Sequence, residues 1–296
     1  MAQARAAGLA FVLAFDHRNS LRHWYLAVTG ADQPDPARLR AAKMLVADAM
    51  LASAAEVGAC GGQPMLLTDE EYGADAIGQI RSAGPAVKIV IPAEVSGQPE
   101  FSFEYGAEFG EHIVKTRPDV VKALVRYNPA GDQARNARSR AALGELARWL
   151  TARDLPLMLE LLVPPTLGQA GPGFDDDVRP GLTRAAIREL RDAGLAPLYW
   201  KVEGQPSTEA FASLAAVARS ECLVLGRGED FAAVDRWVHQ AATADGFAGF
   251  AIGRTIWAQA LAGWLTGRVS RDEATKQIED NFLHFTHAYH DAARHV

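Results

Sequence analysis

Cysteine and lysine are both scarce in this chain of 296 residues. Cys60 and Cys222 are the only cysteines. They have no metal-type spacing and build no disulfide framework, so a reduced, cytoplasmic protein is expected. Positive charge is not in surplus: 30 Lys and Arg face 36 Asp and Glu, a formal net charge of −6. That balance argues against a general nucleic-acid binder, which carries a basic excess. No apolar run reaches about 18 residues, so no membrane span is expected. The short apolar run in MAQARAAGLAFVLAFDHR is broken by Asp16 and His17, and no export cleavage site follows it. No Walker loop and no histidine set of catalytic zinc spacing is present, so no metal and no cofactor are expected.

What is present reads as repeated βα units. Short apolar runs stand at 11–15 (FVLAF), 64–68 (PMLLT), 87–91 (VKIVI), 120–125 (VVKALV), 156–161 (PLMLEL), 198–202 (LYWKV), 222–226 (CLVLG) and 247–253 (FAGFAIG). Between them the apolar period changes to 3.6, for example over 37–56, 138–153, 183–194, 208–220 and 231–244. Eight such units predict an α/β chain folded as a parallel (β/α)8 TIM barrel, spanning 1–296 as a single domain with a closing C-terminal helix from Arg271 onward. A doubly wound sheet is disfavoured, because the first strand runs into FDHRNS rather than a glycine-rich phosphate loop. The Gly- and Pro-rich segment 164–181, with Asp175, Asp176 and Asp177, follows the fifth strand and reads as either a structureless lid or a variable insertion.

Catalytic side chains of such barrels come from the C-terminal ends of the strands. Only 6 of the 30 basic residues are lysine, and Lys88, Lys122 and Lys201 all lie inside strand-like apolar runs. A lysine there is costly unless it is paired, neutral or functional. Asp16 ends the first strand, Glu160 lies in the fifth, and Glu203 follows Lys201 in the sixth. Residues two apart share a strand face, so Lys201 and Glu203 point one way, as do Lys122, Leu124 and Arg126. A lysine made partly neutral by burial and like charges attacks carbonyl carbon, and a neighbouring carboxyl shuttles the protons. The set is that of a Schiff-base lyase. The alternative is a charge-balanced network that only closes the barrel.

The seventh and eighth strands end in LGRGED and IGRTIW. Gly226 with Arg227, and Gly253 with Arg254, therefore form the expected anion site of a small phosphorylated substrate. Glu70 or Glu71, past the second strand, reads either as a hydroxyl ligand or as part of a helix cap. His284, His287 and His290 stand at i, i+3, i+6 in the last helix, a spacing that suits a metal but more often marks an exposed helix.

FVLAFDHRNS, MLLTDEEYGAD, VVKALVRYNP, LYWKVEG and GFAIGRTIW together resemble the aldolase domain of inositol catabolism, commonly the C-terminal half of a sugar kinase–aldolase fusion. The resemblance covers nearly the whole chain. It implies cleavage of 5-dehydro-2-deoxygluconate 6-phosphate to dihydroxyacetone phosphate and malonic semialdehyde. More distantly the chain is similar to class I tagatose-bisphosphate and sulfofructose-phosphate aldolases. Their sixth-strand K-V-E motif carries the Schiff-base lysine and matches Lys201-Val202-Glu203. By strand rank, the class I fructose-bisphosphate aldolases imply functional positions at Asp16, Lys88, Lys122, Glu160 and Lys201. No kinase half stands before the first strand, so either a separate kinase supplies the substrate or this copy acts on another one.

The expectation is a metal-independent class I aldolase with Lys201, Glu160, Lys122 and Asp16 as catalytic residues. Arg254, Gly253, Gly226, Arg227, Lys88, Glu203 and Arg126 are its expected substrate and phosphate ligands. A homo-oligomer is compatible with the sequence. A decarboxylase of the orotidine phosphate type is disfavoured, because no D-x-K-x-x-D surrounds any of the three lysines. A zinc-dependent aldolase differs by chelator sensitivity, and a non-catalytic phosphosugar-binding protein by forming no covalent adduct.

Overall fold

The computed structural model describes residues 8–294. The first seven residues, and His295 and Val296 at the end of the closing helix pattern, lie outside the described residues. Eight parallel strands, β1 (Leu9–Ala14), β2 (Gly62–Leu67), β3 (Lys88–Pro92), β4 (Val120–Arg126), β5 (Leu157–Leu162), β6 (Tyr199–Val202), β7 (Glu221–Leu225) and β8 (Phe247–Ile252), pair in chain order and close into a barrel. Each lies within two residues of its predicted run. The helices are α1 (Asn19–Thr29), α2 (Pro36–Ala59), α3 (Glu70–Ser82), α4 (Phe109–Thr116), α5 (Gln133–Thr151), α6 (Arg179–Asp192), α7 (Thr208–Ala218), α8 (Phe231–Ala242), α9 (Arg254–Leu265) and the closing α10 (Arg271–Ala293). Short polar caps start several of them. Asp35 before Pro36 caps α2, Asp69 caps α3, and Ser270 with Glu273 forms a capping box on α10.

The alternation that made the strands legible also divides the interior into two cores. One set of side chains packs between sheet and helices and includes Phe11, Leu13, Trp200 and Phe250. The other fills the lower barrel with Ala10, Val12, Met65, Val90, Val120, Met158, Tyr199, Leu223 and Ala251. Followed two residues at a time toward the C-terminal mouth, these inward series turn polar: Val120 leads to Lys122, Met158 to Glu160, Tyr199 to Lys201, and Ala14 to Asp16. The fold thus gathers charge at one end of an apolar floor.

Segment 164–181 is not structureless. Phe174–Val178 form a π-helical turn that leads into α6. Burial of Phe174 and an ion pair between Asp175 and Arg179 (3.4 Å) hold it. Among the described residues, no helix is long and apolar enough to cross a membrane.

Candidate active site

The mouth of the barrel holds a cavity of about 310 Å³, lined among others by Asp16, His17, Glu94, Lys122, Glu160 and Lys201. Lys122 stands at its centre. Its Nζ donates to Asp16 Oδ2 at 2.8 Å and to Glu94 Oε1 at 2.6 Å, and Glu160 Oε2 is 2.8 Å away. The same Glu160 oxygen lies 3.0 Å from Lys201 Nζ, so one carboxylate oxygen bridges two lysines. Strand register produces this contact, because Glu160 on β5 is the direct neighbour of Lys201 on β6. All five side chains are buried. Isolated charges at such depth would be prohibitive, and mutual pairing makes the cluster tolerable.

The cluster separates its members electrostatically. Burial alone would lower Lys122, but Asp16, Glu160 and Glu94 outweigh it and hold the ammonium well above the ordinary lysine range. Burial likewise opposes ionisation of Asp16 and Glu160, yet Lys122 and Lys201 overcome it and hold both carboxyls low. For Glu94 burial wins over Lys122 and Arg18, and its carboxyl is pushed up. Lys122 is therefore a fixed cation, and Glu94 is the carboxyl of the three that most readily holds a proton.

The rim has cations on opposite sides. Arg254, which begins α9 beyond β8, donates from Nη2 to the Arg227 carbonyl (2.8 Å). Arg126, ending β4, donates to the Gln98 carbonyl (2.7 Å). Both line the cavity, and β4 and β8 are four strands apart around the closed barrel. Among the described residues neither guanidinium is paired with a carboxylate. Gly226, Arg227, Gly228 and Gly253 complete the β7–β8 side. A Cβ at Gly228 (φ 84°) would meet Arg254 Nη2 at 2.4 Å, and one at Gly253 would meet the Ala14 carbonyl at 2.5 Å. Glycine is required there for the guanidinium and the backbone to approach.

Several expectations are corrected. Lys88 is not in the cavity. It opens β3, at the opposite end of the barrel, and its Nζ pairs with Asp119 at 2.9 Å while 38% exposed. Two lysines, not three, converge. Glu203 does not line the cavity. It accepts from Arg179 (2.7 Å) and the Val163 amide (3.0 Å), and Arg227 Nε is 3.2 Å away. It thereby positions Arg227, which also pairs with Asp175 at 3.0 Å. Glu70 joins His112 and Lys115, and Glu71 joins Arg22, in the first turn of α3 outside the cavity. His284, His287 and His290 follow the helix reading preferred for them and not the metal one, pairing separately with Asp235, Glu56 and Asp291 along α10. Among the described residues no group of His, Cys, Asp and Glu is placed to hold a metal ion. Glu94 and Arg18 escaped the sequence reading. Arg18 Nη1 donates to Glu104 (2.8 Å) and Nη2 to the Glu94 carbonyl (2.9 Å), fixing the segment after β3.

His17, beside Asp16, is held neutral. Burial lowers it from 6.5 to about 4 against the opposing pull of Asp16, with Lys43 adding to the fall. Between these values the unfolded chain binds the proton and the folded one does not, so the contribution of His17 to stability falls as pH falls. A shift from 6.5 to about 4 corresponds to roughly 3 kcal/mol. A His17→Gln variant, compared with the parent by urea unfolding from pH 7 to pH 4, is therefore expected to gain about that much in relative stability. Parallel curves would show that the imidazole titrates normally.

A closed (β/α)8 barrel with a buried lysine–carboxylate cluster and arginines at its C-terminal mouth defines a barrel of enzyme-like site architecture. The chain belongs to the family described as "Uncharacterized protein conserved in bacteria (DUF2090)", which matches residues 2–293. It is 27% identical over 164 residues to tagatose 1,6-diphosphate aldolase 1 of Streptococcus mutans serotype c, a match covering 52% of this chain and 45% of that protein. The chain thus spans less than half the length of that relative. Its fold resembles fructose-bisphosphate aldolase of Plasmodium falciparum, solved with TRAP and an inhibitor (TM-score 0.66, 13% identity, 94% of this chain and 90% of that one). It also resembles a Schiff-base-forming fructose-1,6-bisphosphate aldolase (TM-score 0.55, 17% identity, 88% and 94%). At these identities the structural likeness concerns the fold.

Proposed function

We propose that this barrel is a Schiff-base aldolase acting on a phosphorylated keto sugar or keto sugar acid. The observation that carries the reading is the Glu160 oxygen shared by Lys122 and Lys201. Lys122, fixed as a cation, secures the Glu160 carboxylate, and Lys201 is the amine left to exchange its proton with it. Neutral Lys201 adds to the substrate ketone, and the carbinolamine loses water with a proton returned through Glu160, giving a protonated iminium. A carboxylate removes the proton of the hydroxyl at the β carbon. The carbon–carbon bond then breaks, the aldehyde departs, and the bonding pair flows into the iminium to form an enamine. Protonation and hydrolysis release the ketone product and restore Lys201. Asp16, held against Lys122, receives the reacting hydroxyl as a hydrogen bond and takes its proton as the carbon–carbon bond breaks.

The opposed arginines favour a substrate with an anion at each end and its carbonyl over Lys201, which lies on β6, two strands from each of β4 and β8. With phosphate on Arg254, Gly253, Gly226 and Arg227 and carboxylate toward Arg126, 5-dehydro-2-deoxygluconate 6-phosphate fits, yielding dihydroxyacetone phosphate and malonic semialdehyde. A ketose bisphosphate of the tagatose type also fits the two cations, and the Streptococcus relative supports it as the second reading. Incubation with dihydroxyacetone phosphate followed by borohydride is expected to add one reduced three-carbon phosphate per chain, on the peptide containing Lys201. Absence of any adduct from protein that binds the phosphate overturns the covalent mechanism, and an adduct on Lys122 reverses the two lysine roles.

A further inference from the structure

Among the described residues, the carbonyls beyond β1 have no further strand partner, yet this segment must hold Asp16 against Lys122. The last ladder contact is the Phe15 amide on the Leu67 carbonyl (2.7 Å). The carbonyls that follow are met by a side chain from α2. Lys43, 1% exposed, donates from Nζ to the Phe15 carbonyl and to the His17 carbonyl (3.2 Å). Its ammonium also lies 4.1 Å from the centre of the Phe15 ring. Its counter-ion is Asp69, 2.6 Å away and equally buried. Asp69 is itself fixed, because its Oδ1 accepts the Tyr72 amide (2.8 Å) as the cap of α3.

We propose that Lys43 is a positioning residue, which grips the peptide groups on both sides of Asp16 and so sets where that carboxylate stands against Lys122 and the substrate. The inference rests on the aldolase reading for its catalytic consequence and on geometry for the rest. Neither Lys43 nor Asp69 lines the cavity, so neither touches substrate. Apart from the α3 cap that Asp69 supplies, an apolar pair of similar volume often packs such a position at no loss of stability. It could not donate to two carbonyls in a segment that has left the sheet. The charge pair is therefore explained by what it holds rather than by the stability it adds.

Lys43→Met alone strands the Asp69 carboxylate and endangers the fold, so the informative protein is Lys43→Met/Asp69→Asn, which removes both charges and keeps a capping side chain. Three readouts are taken on the folded double variant. Borohydride trapping on Lys201 is expected to match the parent. The value of kcat for cleavage is expected to fall about 10- to 100-fold with KM within about twofold, the scale of a reacting group displaced by about 1 Å. A crystal structure is expected to show Asp16 Oδ2 drawn away from its 2.8 Å contact with Lys122. Unchanged kcat, or an Asp16 still seated on Lys122, overturns the positioning role and leaves the aldolase reading standing. If the parent itself fails to trap, the aldolase reading falls, and the position of Asp16 in the double variant still decides the role of Lys43.

Discussion

Lys201→Met is expected to leave a folded barrel with no measurable turnover and no borohydride adduct. Methionine nearly matches the length of lysine and is tolerated beside Tyr199 and Leu223, the inward residues next to it on β6 and β7. The charge balance survives as well. Among the described residues Lys201 has one carboxylate contact, to Glu160, and that oxygen keeps its contact with Lys122 at 2.8 Å. No carboxylate is orphaned, so the melting temperature is expected to change by only a few degrees. Chemistry is another matter, because the electron sink exists only while nitrogen is bonded to the substrate carbon. Losses of about 10⁴-fold or more accompany removal of a covalent nucleophile. Far-ultraviolet circular dichroism, intact-mass trapping and a coupled assay of dihydroxyacetone phosphate release test the three parts separately. Full turnover in this variant removes the central assignment.

Why Lys201, Glu160 and Lys122 were legible while their neighbours were not follows from where each signal resides. A charged residue inside an apolar strand is conspicuous locally, and alternation tells which face it takes. Lys88 looks identical by that criterion. Its strand begins at Lys88 itself, so the side chain emerges at the N-terminal mouth beside Asp119. Position along the strand, and not only the face taken, thus decides which end of the barrel a lysine serves: Lys88 stands at the start of its run, Lys122 and Lys201 further along theirs. Glu94 had a usable signal, since it continues the inward series Val90, Pro92, Glu94 two residues beyond β3. Lying outside the apolar run, it is not locally conspicuous as Lys122 and Glu160 are. Lys43 and Asp69, and the network of Asp175, Arg179, Glu203 and Arg227, had none. Apart from the local Asp175–Arg179 pair, each contact joins residues distant in the chain whose meeting depends on the closed barrel. Periodicity carries the architecture and the ring of strand ends, but not the contacts between the loops above it.

The charge logic of the cluster is tested most severely at Lys122, where function and stability are expected to fall together. Lys122→Met leaves Asp16, Glu94 and Glu160 close together and buried, with Lys201 and Arg18 as the remaining nearby cations. Removing one partner from a buried ion network costs about 3–5 kcal/mol. Turnover is expected to be lost as well, because Lys201 is then drawn into pairing with the uncompensated carboxylates instead of meeting the substrate carbonyl. The pH dependence distinguishes this cause from simple mispacking. In the parent, Lys122 lowers Asp16 and Glu160, so their contribution is present above the ordinary carboxylate range and is lost as pH falls through their depressed folded values. Without Lys122 the three carboxyls are pushed up by burial and by one another. The folded state then binds protons that the unfolded state does not, and acid becomes stabilising. The melting temperature of Lys122→Met relative to the parent is therefore expected to rise as pH is taken from 8 to 5. A constant difference across that range would mean that the ammonium serves as filling and not as the charge around which the site is organised.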